Sequence, residues 1–447
     1  MEECMIHLLT GCSPHQHYLY QTDPDALDLA RRPMAYPRAR FLVFSDPHHY
    51  DPSLGTTGAA FQAYLDRDRK LLALSDEIIG TAVDKMAATA ADFVLVCGDL
   101  TKDGEMVCHR RMVEYLKRLK DSGKQVYVVP GNHDVSNHKA VRFVGDHTEP
   151  VPHAGPEDFQ RLYGEFGYNG SLARDSHSLS YLAEPVDGLW LLALDSCRWK
   201  ENRPGHRSIT AGAVSRETLV WAEAQLVAAK QQNKAVIVFL HHGVMEHYPA
   251  NKRFYGEYLV ENDRDVSELL AAYGVSLVFT GHFHAQDITA KTGETHTLFD
   301  IETGSLATAP CPWREVELES GKSGNLARIR SHFVREIPSM GPEFGPYSDD
   351  YVFRGTQKMA DAALDKYLVS TEQRDLIKHQ VARAYMGHLK GDEVVPPAGL
   401  DTSGFRPWLR IIAWMQEALI EGWQTDFSPR DNEVIIHLDT GEVSPLS

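Results

Sequence analysis

Short, nearly continuous apolar runs at positions 41–44, 93–97, 126–129, 189–194, 235–240 and 275–279 alternate with longer segments in which apolar residues recur at helical period. Runs apolar at every position are those of strands covered on both faces. The intervening segments 65–90, 106–120 and 218–230, rich in Leu, Ala, Lys, Glu and Arg, predict the covering helices. The expected class is α/β. Further on, Pro338, Gly341, Pro342, Gly345 and Pro346 crowd a stretch that reads as a linker over 338–350. Beyond it, Ile377, Val381, Tyr385 and Leu389 fall at helical spacing after a Ser370 to Gln373 capping-box pattern, and Trp408, Ile411, Ile412, Met415 and Leu419 form a second apolar stripe. These predict a smaller, mostly helical domain over 351–447, with a terminal strand at 434–437.

The 447 residues leave room for two or three domains. With 62 acidic against 45 basic residues, the net charge of −17 argues against a surface built to hold nucleic-acid phosphates non-specifically. No apolar stretch nears the roughly 18–20 residues that cross a bilayer, so no transmembrane segment is expected. Six cysteines form no CxxC pair, and no disulfide framework is expected. Near the start, Leu9, Thr10, Gly11 and Cys12 resemble the lipobox of bacterial lipoprotein precursors, but Glu2 and Glu3 stand where a basic segment should be. Residues 1–37 therefore read as an N-terminal extension. The protein is cytoplasmic as numbered, or a cell-envelope lipoprotein with 1–37 as its tether if the true start lies upstream.

Candidate chemistry gathers where strands end. The first run is followed by Asp46 and His48, the second by Gly98 and Asp99, and the third by Gly131, Asn132, His133 and Asp134. The fifth runs into His241 and His242, and the sixth into Gly281, His282, Phe283 and His284. Ligands of α/β sheets bind beyond the carboxyl ends of the strands, so these groups should converge in one crevice. Asp, Asn and His without Cys suit hard or borderline divalent ions, and seven such donors serve two ions if one carboxylate is shared. Asp99 is the natural bridge.

The blocks DPH, GD, GNHD, HH and GHFH, in this order, resemble the calcineurin-like metallophosphoesterase superfamily over roughly residues 39–310. DPHHYDPSL, SDEII and GDLTKDGE are further similar to bacterial class III cyclic-nucleotide phosphodiesterases with an extra C-terminal domain. The resemblance implies an αββα sandwich as the catalytic domain, 38–337. It also implies that Asp46, His48 and His284 bind a first metal, that Asn132, His241 and His282 bind a second, and that Asp99 bridges them. His133 would stand beside the scissile phosphate without binding metal, with Asp134 orienting its ring. Adjacent strand residues point to opposite faces, so only one of His241 and His242 should reach the ions, and the family pattern favours His241.

The expected cofactors are two divalent transition-metal ions, Mn, Fe or Zn. The expected reaction is in-line attack of a metal-bridging hydroxide on a small anionic phosphodiester, with a 3',5'-cyclic nucleotide as the best substrate. A nuclease of the same superfamily and a non-catalytic metal-binding scaffold are the alternatives. Purple acid phosphatases carry a tyrosine ligand three residues after the bridging aspartate, where Lys102 stands here, so that type is disfavoured. Lys102 and Asp103 read as a solvated turn, or else as substrate contacts, and His15, His17, His138, His153 and His247 as surface or loop histidines, with His138 the best candidate among them for a substrate contact.

Overall fold

The computed structural model describes residues 18–447, except 294–295, 322–323, 366, 368, 392, 394–398, 426 and 447, and except the side chains of 412, 415 and 416. The lipobox-like residues 9–12, with His15 and His17, lie outside the described residues.

In chain order the strands are β1 (Ala39–Phe44), β2 (Phe93–Val96), β3 (Gln125–Val128), β4 (Val141–Val144), β5 (His147–Pro150), β6 (Ala173–Arg174), β7 (Tyr181–Val186), β8 (Leu189–Ala193), β9 (Ala235–Phe239), β10 (Leu277–Thr280), β11 (Asp287–Thr292), β12 (Thr297–Glu302), β13 (Pro312–Gly321), β14 (Gly324–Phe333), β15 (Glu433–His437) and β16 (Val443–Pro445). β4 and β5 make a separate hairpin, and the others form two seven-stranded sheets ordered β16-β15-β14-β13-β1-β2-β3 and β11-β12-β10-β9-β8-β7-β6. The runs that are apolar at every position became the parallel centres, β1-β2-β3 and β8-β9-β10. All four side chains of β2 are buried, as both covered faces require.

The sheets pack face to face. Phe41 of β1 meets Phe279 of β10 edge-on at 5.3 Å, and the Tyr181 hydroxyl donates to the Val128 carbonyl at 2.9 Å. Helices close both outer faces. On one, Ser75–Ala87 buries Ile78, Ile79, Ala82, Val83 and Met86, and Met106–Asp121 buries Met112, Leu116 and Leu119. On the other, Arg216–Gln231 starts at Ser215, whose side chain accepts from the Thr218 amide, and buries Leu219, Ala222 and Leu226. The layers are helix, sheet, sheet, helix, the expected sandwich.

Four boundaries differ from the sequence reading. The segment 65–90 is not one helix: a helix ends at Leu65, a 3-10 turn occupies Leu72–Leu74, and the longer helix begins at Ser75. Between them, Asp68, Arg69 and Lys70 line the pocket described below. The expected linker 338–350 already contains helix, because Phe344–Leu364 starts inside it and carries Pro346 in its first turn, where a missing amide costs nothing. The helices Phe344–Leu364, Thr371–Lys390 and Pro407–Gly422 are a helical block, but β15 and β16 return to the first sheet beside β14. The block is therefore inserted between two strands of the first sheet and is not an appendage over 351–447. Finally, the described part of the extension 1–37 is no free tether. Tyr18, Ala30, Met34 and Tyr36 are buried, Tyr20 stacks edge-on against Tyr273 at 5.9 Å, and the Lys230 ammonium donates to the Arg32 carbonyl at 2.5 Å.

Of the expected stripe on Pro407–Gly422, Leu419 packs inward, and the side chains of Ile412 and Met415 lie outside the described ones. Leu409, Ala413 and Ile420 face the core, while Trp408 and Ile411 are 36 % and 61 % exposed. A helix apolar nearly all round does not disclose from sequence which side it buries.

Candidate active site

The loops after β1, β2, β3, β9 and β10 open at the same end of the sandwich. They are held in conformations that side-chain-bearing residues seldom adopt. Asp46 (φ 50°), His48 (41°), Asp99 (49°), His282 (78°) and His284 (71°) all sit at positive φ. Such strain costs on the order of 1–3 kcal/mol per residue and persists where surrounding bonds over-determine it. Here the loops are laced together. The Asp46 amide donates to the Gly98 carbonyl at 3.1 Å, the His48 amide to the Asp99 carbonyl at 3.0 Å, the His282 amide to Asp46 Oδ2 at 2.9 Å and the His133 amide to Asp99 Oδ1 at 2.8 Å. Gly131 and Gly281 permit this closeness. A Cβ at 131 would lie 2.1 Å from the Asp99 amide, and one at 281 would lie 1.9 Å from Ser45 Oγ.

Donor atoms converge at two points. At the first, His48 Nε2 and His284 Nε2 are 3.1 Å apart, with Asp46 Oδ1 3.7 and 3.3 Å from them; that buried oxygen has no hydrogen-bond partner. At the second, His241 Nε2 lies 3.1 Å from Asn132 Oδ1, and the buried Nε2 of His282 has no partner. Asp99 Oδ2 stands between, 3.6 Å from His48 Nε2 and 3.5 Å from His241 Nε2. Burial alone would raise the Asp99 carboxyl, but His241 and His133 outweigh it and hold it well below the usual range. Burial likewise would lower His241, yet the Asp99 carboxylate lifts it to about 9. Unpartnered buried oxygen and nitrogen atoms at these spacings fit two divalent ions, whose binding displaces protons from such ligands.

A donor atom of His242 also lies within 4.8 Å of those of His241 and His282. The His242 Nδ1 pairs with Ser196 Oγ at 2.7 Å and its Nε2 with the Thr210 carbonyl at 2.8 Å, so both nitrogens are engaged.

Asp134 does not orient His133. Its carboxylate turns back to accept from the amides of Gly131 (2.8 Å), Leu100 and Thr101 (both 3.0 Å) and from the Thr101 hydroxyl (2.9 Å), bracing the two loops. Burial and the Asp99 charge push its pKa up to about 7. Asp103 takes the orienting place, with Oδ1 2.9 Å from His133 Nδ1. The ring's other nitrogen lies 3.9 Å from Asp99 Oδ2. Against the lowering effect of burial, Asp99 and Asp103 raise the His133 pKa.

Asp103 is itself held by Lys102, which is fully buried, bonds Asp103 Oδ2 and lies 3.0 Å from Glu105 Oε1. The solvated-turn reading of this pair fails because a buried ammonium requires buried carboxylates. Lys102→Met should leave those carboxylates uncompensated and lower the unfolding free energy by about 3–5 kcal/mol, read by denaturant titration. His138 packs its ring on His153 at 4.9 Å and is not among the residues lining the metal pocket.

The pocket over the two points measures about 190 Å³. Besides Asp99, Asn132, His133, His282 and His284 it is lined by Arg69, Lys70, Tyr255, Tyr258 and Tyr385, none of which the sequence reading offered as a site residue. Arg69 and Lys70 come from the break inside the expected helix 65–90, where charged Asp66 to Lys70 interrupt the apolar period. Tyr385 comes from the helix Thr371–Lys390, and the Arg69 guanidinium lies over its ring at 4.3 Å. Tyr258 stacks beside His282 at 4.6 Å.

No helix among the described residues is long and apolar enough to cross a membrane. Among curated proteins, the chain is similar to the 3',5'-cyclic adenosine monophosphate phosphodiesterase CpdA of Haemophilus influenzae, 26 % identical over 319 residues that cover 69 % of this chain and 95 % of that protein. Among solved structures it is similar to a dimetal phosphatase from Danio rerio, at 16 % identity and a TM-score of 0.47, covering 67 % of this chain and 97 % of the other. The calcineurin-like phosphoesterase family model matches residues 39–286, more than half of the chain and all five motif blocks. The chain belongs to the calcineurin-like phosphoesterase family and is a metal-dependent phosphoester hydrolase.

Proposed function

We propose that this protein is a two-metal phosphodiesterase acting on a 3',5'-cyclic nucleotide. The observation that carries the reading is the composition of one cavity. Metal-ligating groups form its floor, while Arg69, Tyr258 and Tyr385 form a cationic and aromatic wall beside them. A nucleobase has a π-face to stack on such a wall, and its phosphate carries the charge that the floor attracts. The name of the Haemophilus relative points the same way.

Asp46, His48 and His284 would hold one ion and Asn132, His241 and His282 the other, with Asp99 serving both. Divalent ions held by these residues would supply Lewis acidity to activate water and positive charge for the phosphoryl oxygens. The chain's own residues do the rest. Arg69 and Lys70 attract the anion, and the tyrosines fix the base so that the phosphorus faces the ions. As the ester P–O bond breaks, the leaving alkoxide takes a proton from His133 Nε2. Asp103, at Nδ1, keeps the ring in that orientation. Which transition metal fills the pair follows from availability as much as from these ligands, and we propose Mn, Fe or Zn.

Tyr385→Ala tests the wall. Losing one stacking platform, worth about 1–3 kcal/mol, should raise KM for a cyclic nucleotide by roughly 5- to 150-fold while turnover of bis(p-nitrophenyl) phosphate, which has no base, is kept. Equal loss on both substrates, or no turnover of cyclic nucleotides by the unaltered enzyme, would overturn the substrate assignment.

A further inference from the structure

Away from the pocket, β11, β12 and the end of the helix Thr371–Lys390 enclose a second set of buried titratable groups. Asp287 and Glu302 stand directly opposite one another in the β11–β12 register, and Asp300 shares the face of β12 with Glu302. They are 2 %, 3 % and 0 % exposed. Like charges opposed across an antiparallel pair repel. Asp431 is buried beside them, with Oδ1 accepting from the Ile288 amide at 2.8 Å.

Two basic groups face these four carboxylates. His247, expected at the surface, is buried; its Nδ1 is 2.9 Å from Asp287 Oδ1 and its Nε2 is 3.3 and 3.7 Å from Asp300 and Glu302. Arg314 is fully buried too, but its terminal nitrogens donate to the carbonyls of Asp431 and Glu302 and to Ser331 Oγ. A fifth carboxylate, Glu393, bonds His388 Nδ1 at 2.9 Å, both side chains being 1 % exposed. Donor atoms of Asp287, His388 and Glu393 all lie within 4.8 Å of one another, and the buried His388 Nε2 and Glu302 Oε1 have no hydrogen-bond partner. Closely spaced imidazole and carboxylate donors with unpartnered buried atoms are also what mark the catalytic ligands.

We propose that Asp287, His388 and Glu393 bind a third divalent transition-metal ion, a structural one, which fastens the end of the helix Thr371–Lys390 to β11. One imidazole and two carboxylates suit a borderline ion such as zinc. The fastening matters to the pocket because His388 and Tyr385 are three residues apart on one helix face, and the His388 ring packs at 5.1 Å on Phe283, between the ligands His282 and His284.

The test counts zinc in the full-length enzyme after chelation, reloading and desalting. The unaltered chain should hold about one more ion than Glu393→Gln, with two retained in the variant alongside diester turnover. His388→Gln should lose the same ion, so a folding failure in one variant leaves the other to decide. Because the readout is a difference of one ion, it stands apart from the catalytic count: in an Asp99→Ala background Glu393→Gln should still remove one. Equal zinc content with and without Glu393→Gln and His388→Gln would overturn the third site.

Discussion

Asp99→Ala is expected to abolish phosphodiester hydrolysis, lowering kcat/KM by on the order of 10⁴ or more, and to deplete both catalytic ions together. Its Oδ2 stands between the two sets of donors, 3.6 Å from His48 and 3.5 Å from His241, whereas Asn132 serves one set. Asn132→Ala should therefore weaken one ion and leave the other. Asp99 Oδ1 also accepts the His133 amide, so Asp99→Ala loosens the loop that presents His133 as well. Metal analysis beside steady-state kinetics checks both effects. Full activity in a chelated, metal-free Asp99→Ala enzyme would sink the two-metal mechanism.

His133→Ala should keep its metals and lose roughly 10²- to 10⁴-fold in kcat with an alkoxide leaving group. With p-nitrophenolate, which departs without a proton, the loss should be much smaller. Asp103→Asn should reproduce the same leaving-group dependence at about a tenth to a hundredth of wild-type rate, since it disturbs the ring's orientation and leaves the ring in place. Metal content falling in step with activity in His133→Ala would instead make that residue a ligand.

Much of this was legible in the sequence because strands apolar at every position punctuate the chain, and polar groups just past their ends have only one place to go. The five blocks name groups that the structure brings together, while His242 is set apart from His241 by the bonds that both its nitrogens make. What stayed hidden depends on approach between distant segments. Asp134 seemed the partner of His133 because it is adjacent, yet a turn aims neighbouring side chains apart, and the amides of Leu100 and Thr101 claimed its oxygens. Asp103, thirty residues earlier, carries no periodic or motif signal that would pair it with His133. Tyr385 read as one more apolar position on a helix. Only the docking of that helix against Arg69 makes it a wall of the pocket.

The return of β15 to the edge of β14 has a consequence for how the chain is made. Leu326 pairs with His437 and Ile329 with Val434, so the outer edge of β14 waits while the whole helical block is synthesised. At about 5–20 residues per second, roughly a hundred residues keep that edge bare for some 5–20 s on the ribosome. A strand with its amides and carbonyls unpaired is a template for association with other chains. Arg328 and Arg330, spaced along β14, place positive charge on that strand. Arg328 is neutralised by Glu319 of β13 at 3.0 Å, whereas the partner of Arg330, Glu433 at 3.6 Å, arrives only with β15.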